Sequence, residues 1–206
     1  LGRVRLRLSL SGENKMVVKS EVNKYVLTLK KLIQDIYVGE EDDGSIEYHI
    51  AKILTENRKS ISFAESCTGG LVSARITAIP GASKFYKGGL VAYSNQIKSS
   101  ILNIPDKFIE VNGAVSSKVA ELMAINIKKN YNTDYSIATT GNAGPTSGDL
   151  KSKVGHVYIA IATPSNVFVN FFKMGNHRER VVEKTVNKAF EILLKILKNE
   201  YNYNIE

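Results

Sequence analysis

Three short segments carry the residue types that could do chemistry. The first is Ala64-Glu65-Ser66-Cys67-Thr68-Gly69-Gly70, a serine and a cysteine placed just before a glycine pair. A hydroxyl presented at a strand-to-helix turn can act as a nucleophile, and glycines let a ligand approach the backbone. The N–H groups opening the next helix would attract an anion such as a phosphate. Equally, Ser66 or Thr68 could cap that helix while the glycines ease packing. The second segment runs from Gly88 to Lys98 and contains Tyr93-Ser94-Asn95. Lys98 falls in the first turn of a helix, where the helix dipole disfavours a cation and is expected to destabilise the ammonium. A lysine depressed in that way, beside the Tyr93 phenol, could serve as a general base. The alternative is an exposed lysine and a half-buried tyrosine. The third segment is Thr139-Thr140-Gly141-Asn142-Ala143-Gly144-Pro145-Thr146. Such a loop can aim successive backbone N–H groups at an oxyanion or a phosphate, or it can be a plain turn.

Cys67 is the rival nucleophile, since a thiol at a helix N-terminus would have a lowered pKa. No histidine lies near it in sequence; His49, His156 and His177 read as surface or packing residues. Three histidines and one cysteine give no metal-ligand spacing, so neither a metal nor a cofactor is expected.

Strand ends must hold these segments, and the pattern supplies them. From residue 60 onward, strand, glycine turn and helix alternate. Strands are expected at 61–64, 86–93 and 135–140, and helices at 68–79, 96–102 and 116–130. A hairpin follows from 154–163 and 167–173 around Pro164-Ser165-Asn166, and an amphipathic helix closes the chain over 178–197. Ser45 is the expected N-cap of a helix reaching about Asn57. Together these predict an α/β fold over 46–206, a three-layer α/β/α domain with a mixed sheet. Residues 1–45 read as a small β-α-β appendage. Alternation over 3–10 predicts a strand, and Val18, Val22, Val26, Leu29 and Ile33 stripe a helix over 15–36. Residues 37–39 look like a second short strand, followed by the acidic linker Glu40-Glu41-Asp42-Asp43.

The 206 residues include 28 Lys+Arg, 20 Asp+Glu, one cysteine and 43% hydrophobic residues. Those proportions fit one globular domain with an appendage and argue against wholesale disorder. A single cysteine excludes an internal disulfide and fits a reducing compartment, hence a cytoplasmic protein. No apolar stretch approaches the roughly 20 residues of a membrane span. The net charge of +8 is scattered rather than clustered, so nucleic acid is an unlikely partner and an anionic small molecule a better one.

Taken in order, Ala64 to Gly70, Pro80-Gly81-Ala82-Ser83, Gly88-Gly89, Tyr93-Ser94-Asn95, Lys98, Gly113-Ala114-Val115-Ser116, Thr140-Gly141 and Ala143-Gly144-Pro145 resemble the C-terminal domain of CinA proteins. These are the nicotinamide-nucleotide amidohydrolases, or NMN deamidases, and the resemblance covers residues 46 to about 197. Residues 1–45 look like the tail of the middle region that joins this domain to an upstream molybdopterin-binding-like domain. The start at Leu1 suggests that an upstream part is missing. The resemblance implies hydrolysis of the carboxamide of nicotinamide mononucleotide (NMN) to nicotinic acid mononucleotide and ammonia. Ser66 matches the family's nucleophile, and Tyr93 and Lys98 match the residues that activate it. Substrate contacts are expected from Glu65, Thr68, Gly69 and Gly70, from Asn95, and from Thr140, Gly141, Ala143 and Gly144. The phosphate is assigned to Thr68-Gly69-Gly70. A homo-oligomer, with a dimer favoured, is the family's usual state.

Three departures stand out, the first being that Thr146-Ser147-Gly148-Asp149-Leu150 follows Ala-Gly-Pro where the family usually keeps more glycine. Asn142 stands where the family is often apolar, and Gly175-Asn176-His177-Arg178 replaces its Gly-Asp-Arg with a one-residue shift. Arg178 and Arg180 are therefore alternatives for ligand contact. A rival reading is a non-catalytic nucleotide-binding or regulatory module that kept only the loops. Retention of Ser66, Tyr93 and Lys98 separates the two, because binding alone needs no nucleophile.

Overall fold

A computed structural model describes residues 6–34, 37, 45–148 and 151–203. Five strands form one sheet in the order β2-β1-β3-β4-β5: β1 Ile61–Glu65, β2 Tyr86–Val91, β3 Tyr135–Gly141, β4 His156–Ala162 and β5 Val167–Lys173. β1 pairs in parallel with β2 and β3, and β4 runs antiparallel to both β3 and β5. The sheet is mixed, as the sequence predicts. Because β1, β2 and β3 are parallel, their carboxyl ends share one edge, which is where ligands bind in such sheets.

Helices cover both faces. Side chains alternate along a strand, so β1 sends Ile61 and Phe63 to one face and Ser62 and Ala64 to the other. On the first face Phe63, Ile137, Ile159 and Ile161 pack in one buried cluster with residues of α2 (Ile46–Glu56), α3 (Leu71–Thr77) and α7 (Arg178–Tyr201). On the second, Ala64, Ala138, Ala160 and Ala162 meet α6 (Ser117–Asn130). The small residues on that face let α6 lie close to the strands. Ser62 Oγ reaches the Ile127 carbonyl at 3.3 Å and Ser136 Oγ reaches that of Ala124 at 2.7 Å. Two short helices, α4 (Asn95–Ser100) and α5 (Asp106–Asn112), join β2 to α6. The seven residues of α5 carry too few apolar positions to display a helical period, and sequence reading passes over them.

Ser45 caps α2 as expected, its Oγ accepting from the Tyr48 N–H at 3.2 Å. The appendage departs from expectation. Residues 6–10 belong to no strand, and Leu6, Leu8 and Leu10 are exposed. Residues 3–5, 38 and 39, also expected as strand, lie outside the described residues. Alternation needs a neighbouring strand to make it a sheet, and the described residues offer none there. The stripe of α1 (Lys15–Leu32) is half-buried at Val18, Val22, Val26 and Leu29, and no residue of the helix is fully buried. No described helix is long and apolar enough to cross a membrane.

Candidate active site

At the carboxyl edge of the parallel strands lies a cleft of about 540 Å³. Ser66 and Cys67 line it from the end of β1, and Tyr93, Asn95 and Lys98 from the β2–α4 segment. Thr140 and Gly141 at the end of β3, with Ala143 and Gly144 just after it, form a further wall. Three loops separated by tens of residues therefore meet in one place, as their matching positions at strand ends require. A smaller hollow of about 360 Å³ beside Gly155 and Gly175 contains none of these groups.

Ser66 sits one residue past β1, and its N–H still bonds the Thr139 carbonyl at 2.9 Å. The strand pattern thus persists through Ser66, with Glu65 and Ser66 turned to opposite faces. Ser66, 8% exposed, faces Lys98. Lys98 Nζ lies 3.1 Å from Ser66 Oγ, 2.8 Å from the Ala92 carbonyl and 3.5 Å from the Tyr93 carbonyl. Only 2% of Lys98 is exposed, and burial lowers its pKa to about 8. The expected direction holds but the cause differs. Desolvation does the work, because Lys98 lies in the last turn of the six-residue α4 and not in its first, so the helix dipole does not oppose the ammonium.

The three acceptors define what the amine can do. Carbonyls only accept, so a neutral Lys98 can give its two N–H bonds to Ala92 and Tyr93. Its lone pair is then left pointing at Ser66 Oγ–H. After taking the serine's proton, the ammonium has an acceptor for each of its three hydrogens.

Glu65 is 1% exposed and does not line the cleft. Its carboxylate accepts from the N–H groups of Gly70 (3.0 Å), Val72 (3.0 Å) and Ser73 (2.8 Å), and from the hydroxyls of Thr68 (2.7 Å) and Ser73 (2.7 Å). The opening of α3 is thus already occupied by the protein's own anion. Thr68, Gly69 and Gly70 stand outside the cleft lining. Gly69 (φ +59°) and Gly70 (φ +99°) are left-handed, so the helix begins at Leu71 and not at Thr68. That turn brings the N–H groups back onto Glu65. These glycines serve the bend, and the N–H groups that a phosphate there would need are already in use.

The Tyr93 hydroxyl accepts from Arg178 Nη2 at 2.6 Å, and no hydrogen bond joins it to Ser66 or Lys98 among the described residues. Arg178 Nη1 also donates to the Gly144 carbonyl at 2.9 Å. Of the two arginines left open by the sequence, Arg178 lines the cleft and Arg180 does not. Thr140 Oγ1 bonds the Ala114 carbonyl at 2.8 Å and so fixes the wall made by Gly113, Ala114 and Val115. Gly141 allows a close approach. A Cβ there would meet Val157 Cγ2 at 2.8 Å, the His156 carbonyl at 2.9 Å and Cys67 Sγ at 3.2 Å.

Cys67 is buried, and desolvation pushes its thiol up to about 12. The lowered pKa expected at a helix N-terminus does not arise, because three of the first N–H groups are committed to Glu65. Sequence reasoning missed Lys151, on the far wall, and the carbonyl of Ala92. Nothing in their local context marks either, because only the folded chain brings them to the cleft.

Comparisons with known proteins agree with this architecture. The CinA C-terminal domain family matches residues 43–197. A CinA-like protein of Flavobacterium psychrophilum is 45% identical over 199 residues, 96% of this chain and 48% of that protein. A CinA-like protein of Prochlorococcus marinus is 42% identical over 183 residues, 89% of this chain and 42% of that protein. The chain therefore spans about half the length of the curated relatives it matches. The crystal structure of a competence or damage-inducible protein from Enterobacter asburiae superposes with a TM-score of 0.72 at 32% identity. It covers 75% of this chain and 98% of its own. One from Agrobacterium tumefaciens gives 0.71 at 30% identity, over 78% and 98%. The serine–lysine cleft stands on the mixed five-stranded fold these proteins share, and the chain belongs to the CinA C-terminal domain family.

Proposed function

We propose that this domain hydrolyses the carboxamide of nicotinamide mononucleotide, releasing ammonia and nicotinic acid mononucleotide. The observation that carries this reading is the buried Lys98 Nζ at 3.1 Å from Ser66 Oγ, with two carbonyls to hold the rest of the amine. Neutral Lys98 takes the Ser66 proton as Oγ attacks the amide carbon. The oxyanion that forms is met by backbone N–H groups of the cleft wall. Those of Cys67 and Ala143 serve no backbone carbonyl among the described residues. Lys98 then delivers its proton to the departing nitrogen, and ammonia leaves an acyl-enzyme on Ser66. Water, activated by the again neutral Lys98, cleaves that ester and restores the serine.

Because Glu65 holds the start of α3, the substrate phosphate is better placed against Arg178, the guanidinium at the cleft mouth. The Tyr93 ring lies at the same mouth, where its face suits a cationic pyridinium. Its part in activating Ser66 is then through its carbonyl, which faces Lys98.

The test is direct. Incubation with NMN should release ammonia and nicotinic acid mononucleotide in equal amounts, and Ser66→Ala should lower the rate at least about 10³-fold. NMN binding without any product from the wild type would instead establish the binding-module reading.

A further inference from the structure

The wall after β3 is a strap, and one side chain fastens it. Asn142 is 5% exposed. Its amide nitrogen donates to Ser147 Oγ at 2.7 Å and to the Ser152 carbonyl at 2.8 Å. Ser147 Oγ donates to that same carbonyl at 2.6 Å. The Asn142 backbone is tied on both sides, its N–H to the His156 carbonyl at 3.0 Å and its carbonyl to the Gly155 N–H at 2.7 Å. The described residues 142–148 and 151–155 of the strap are therefore tied together at one buried carboxamide. With Asn142 itself the strap contributes Ala143, Gly144, Pro145, Thr146 and Gly148 to the cleft, and its Gly144 carbonyl seats Arg178. At its far end Lys151 donates to the carbonyls of Glu110 and Val111 at the end of α5, the latter at 3.0 Å. An apolar residue at 142 would fill the same space but could tie neither Ser147 nor Ser152.

We infer that Asn142 is a positioning residue: its carboxamide fixes the strap that walls the cleft and, through the Gly144 carbonyl, sets the place of the Arg178 guanidinium. Its carboxamide bonds neither Ser66 nor Lys98, so its effect passes through the strap, which carries the Ala143 N–H and seats Arg178. A buried amide with two donated bonds suits this role, because losing it leaves Ser147 and Ser152 bonded to each other but no longer tied to residue 142 just after β3. The inference rests on the amide-hydrolase reading for its kinetics, and its other readout is free of that reading.

The test uses Asn142→Val, which keeps bulk and removes the hydrogen bonds. Trypsin under native conditions should cut after Lys151 or Lys153 at least about tenfold faster than in the wild type, because cleavage follows strap opening. KM for NMN should rise about tenfold or more, and kcat should fall as well, because the strap also carries the Ala143 N–H proposed for the oxyanion. In an Arg178→Ala background the same substitution should raise KM by less than about threefold, since both act through one contact. Unchanged trypsin sensitivity, or a fall in kcat with KM unmoved, overturns the inference. If Asn142→Val does not fold, Asn142→Asp gives the same expectations, since it cannot donate to Ser152. A wild type that binds NMN but does not hydrolyse it defeats the proposed reaction, and trypsin then decides the strap alone.

Discussion

Lys98 offers the sharpest prediction because its burial sets how much of it is base. With a pKa of about 8, about one amine in ten is neutral at about pH 7, against about one in 3,000 for an ordinary lysine. Each neutral amine can accept the Ser66 proton directly across 3.1 Å. The kcat/KM for NMN, which reports the free enzyme, should therefore fall about tenfold per pH unit below about pH 7 and level off above about pH 9. The substrate phosphate titrates near about pH 6 and cannot mimic a limb centred two units higher. Lys98→Arg, always charged, should lose at least about 10³-fold at every pH. Stability carries the same signature. The unfolded chain keeps the lysine proton up to about 10.5 while the folded chain gives it up near 8, so the unfolded state binds more protons between those values. Stability should rise with pH across that window by at most about 3 kcal/mol, and this rise should be absent from Lys98→Met. A kcat/KM profile that is flat from about pH 6 to 9, or a Lys98→Arg variant with a tenth of wild-type activity, refutes the assignment of Lys98 as the base.

Three further outcomes follow from the same geometry. Arg178→Ala should raise KM for NMN about tenfold or more, as expected for one charged hydrogen-bonding partner. The same variant should alter hydrolysis of nicotinamide riboside, which lacks the phosphate, by less than about threefold; equal losses would place the phosphate elsewhere. Glu65→Gln should lower stability in urea denaturation by about 2 kcal/mol, because an amide cannot accept from every donor now converging on the carboxylate. A wild-type denaturation midpoint would show that the α3 cap is dispensable. Cys67→Ala should stay within about threefold of wild-type activity. The native thiol, held near 12 by burial, should resist iodoacetamide at about pH 8, where about one in 10⁴ is thiolate.

The legible and illegible parts of this chain divide along physical lines. Strands β1, β3, β4 and β5 announce themselves as apolar runs, and Ser45 caps the helix that follows it, as its place before the α2 apolar pattern predicts. Local patterns of that kind survive folding because they are made of neighbours. Ser66 is singled out by its place at a strand end and Lys98 by its place in a short helix, and the fold brings them together, yet why Lys98 is depressed is not legible. Burial is a property of what packs around the amine, and the residues that pack there are remote in sequence. Glu65 marks the limit more clearly. Reading the glycine pair as an anion site rests on a sound rule, that helix N-termini hold anions. The rule does not say which anion, and here a carboxylate five residues before Gly70 fills the place. The alternation of β1 settles its direction, for if Ser66 points into the cleft then Glu65 must point away. That single step of parity turns a residue expected on substrate into the one that shapes the turn bearing Ser66. The same argument extends to the third loop. Thr139, of like parity with Glu65 across the β1–β3 register, bonds Thr68 at 2.7 Å behind the turn. Its neighbour Thr140 reaches the cleft wall. The ends of β1 and β3 thus each supply one residue to the cleft and the adjacent one to its support, so a substitution at Glu65 or Thr139 should first disturb the turn and only through it Ser66.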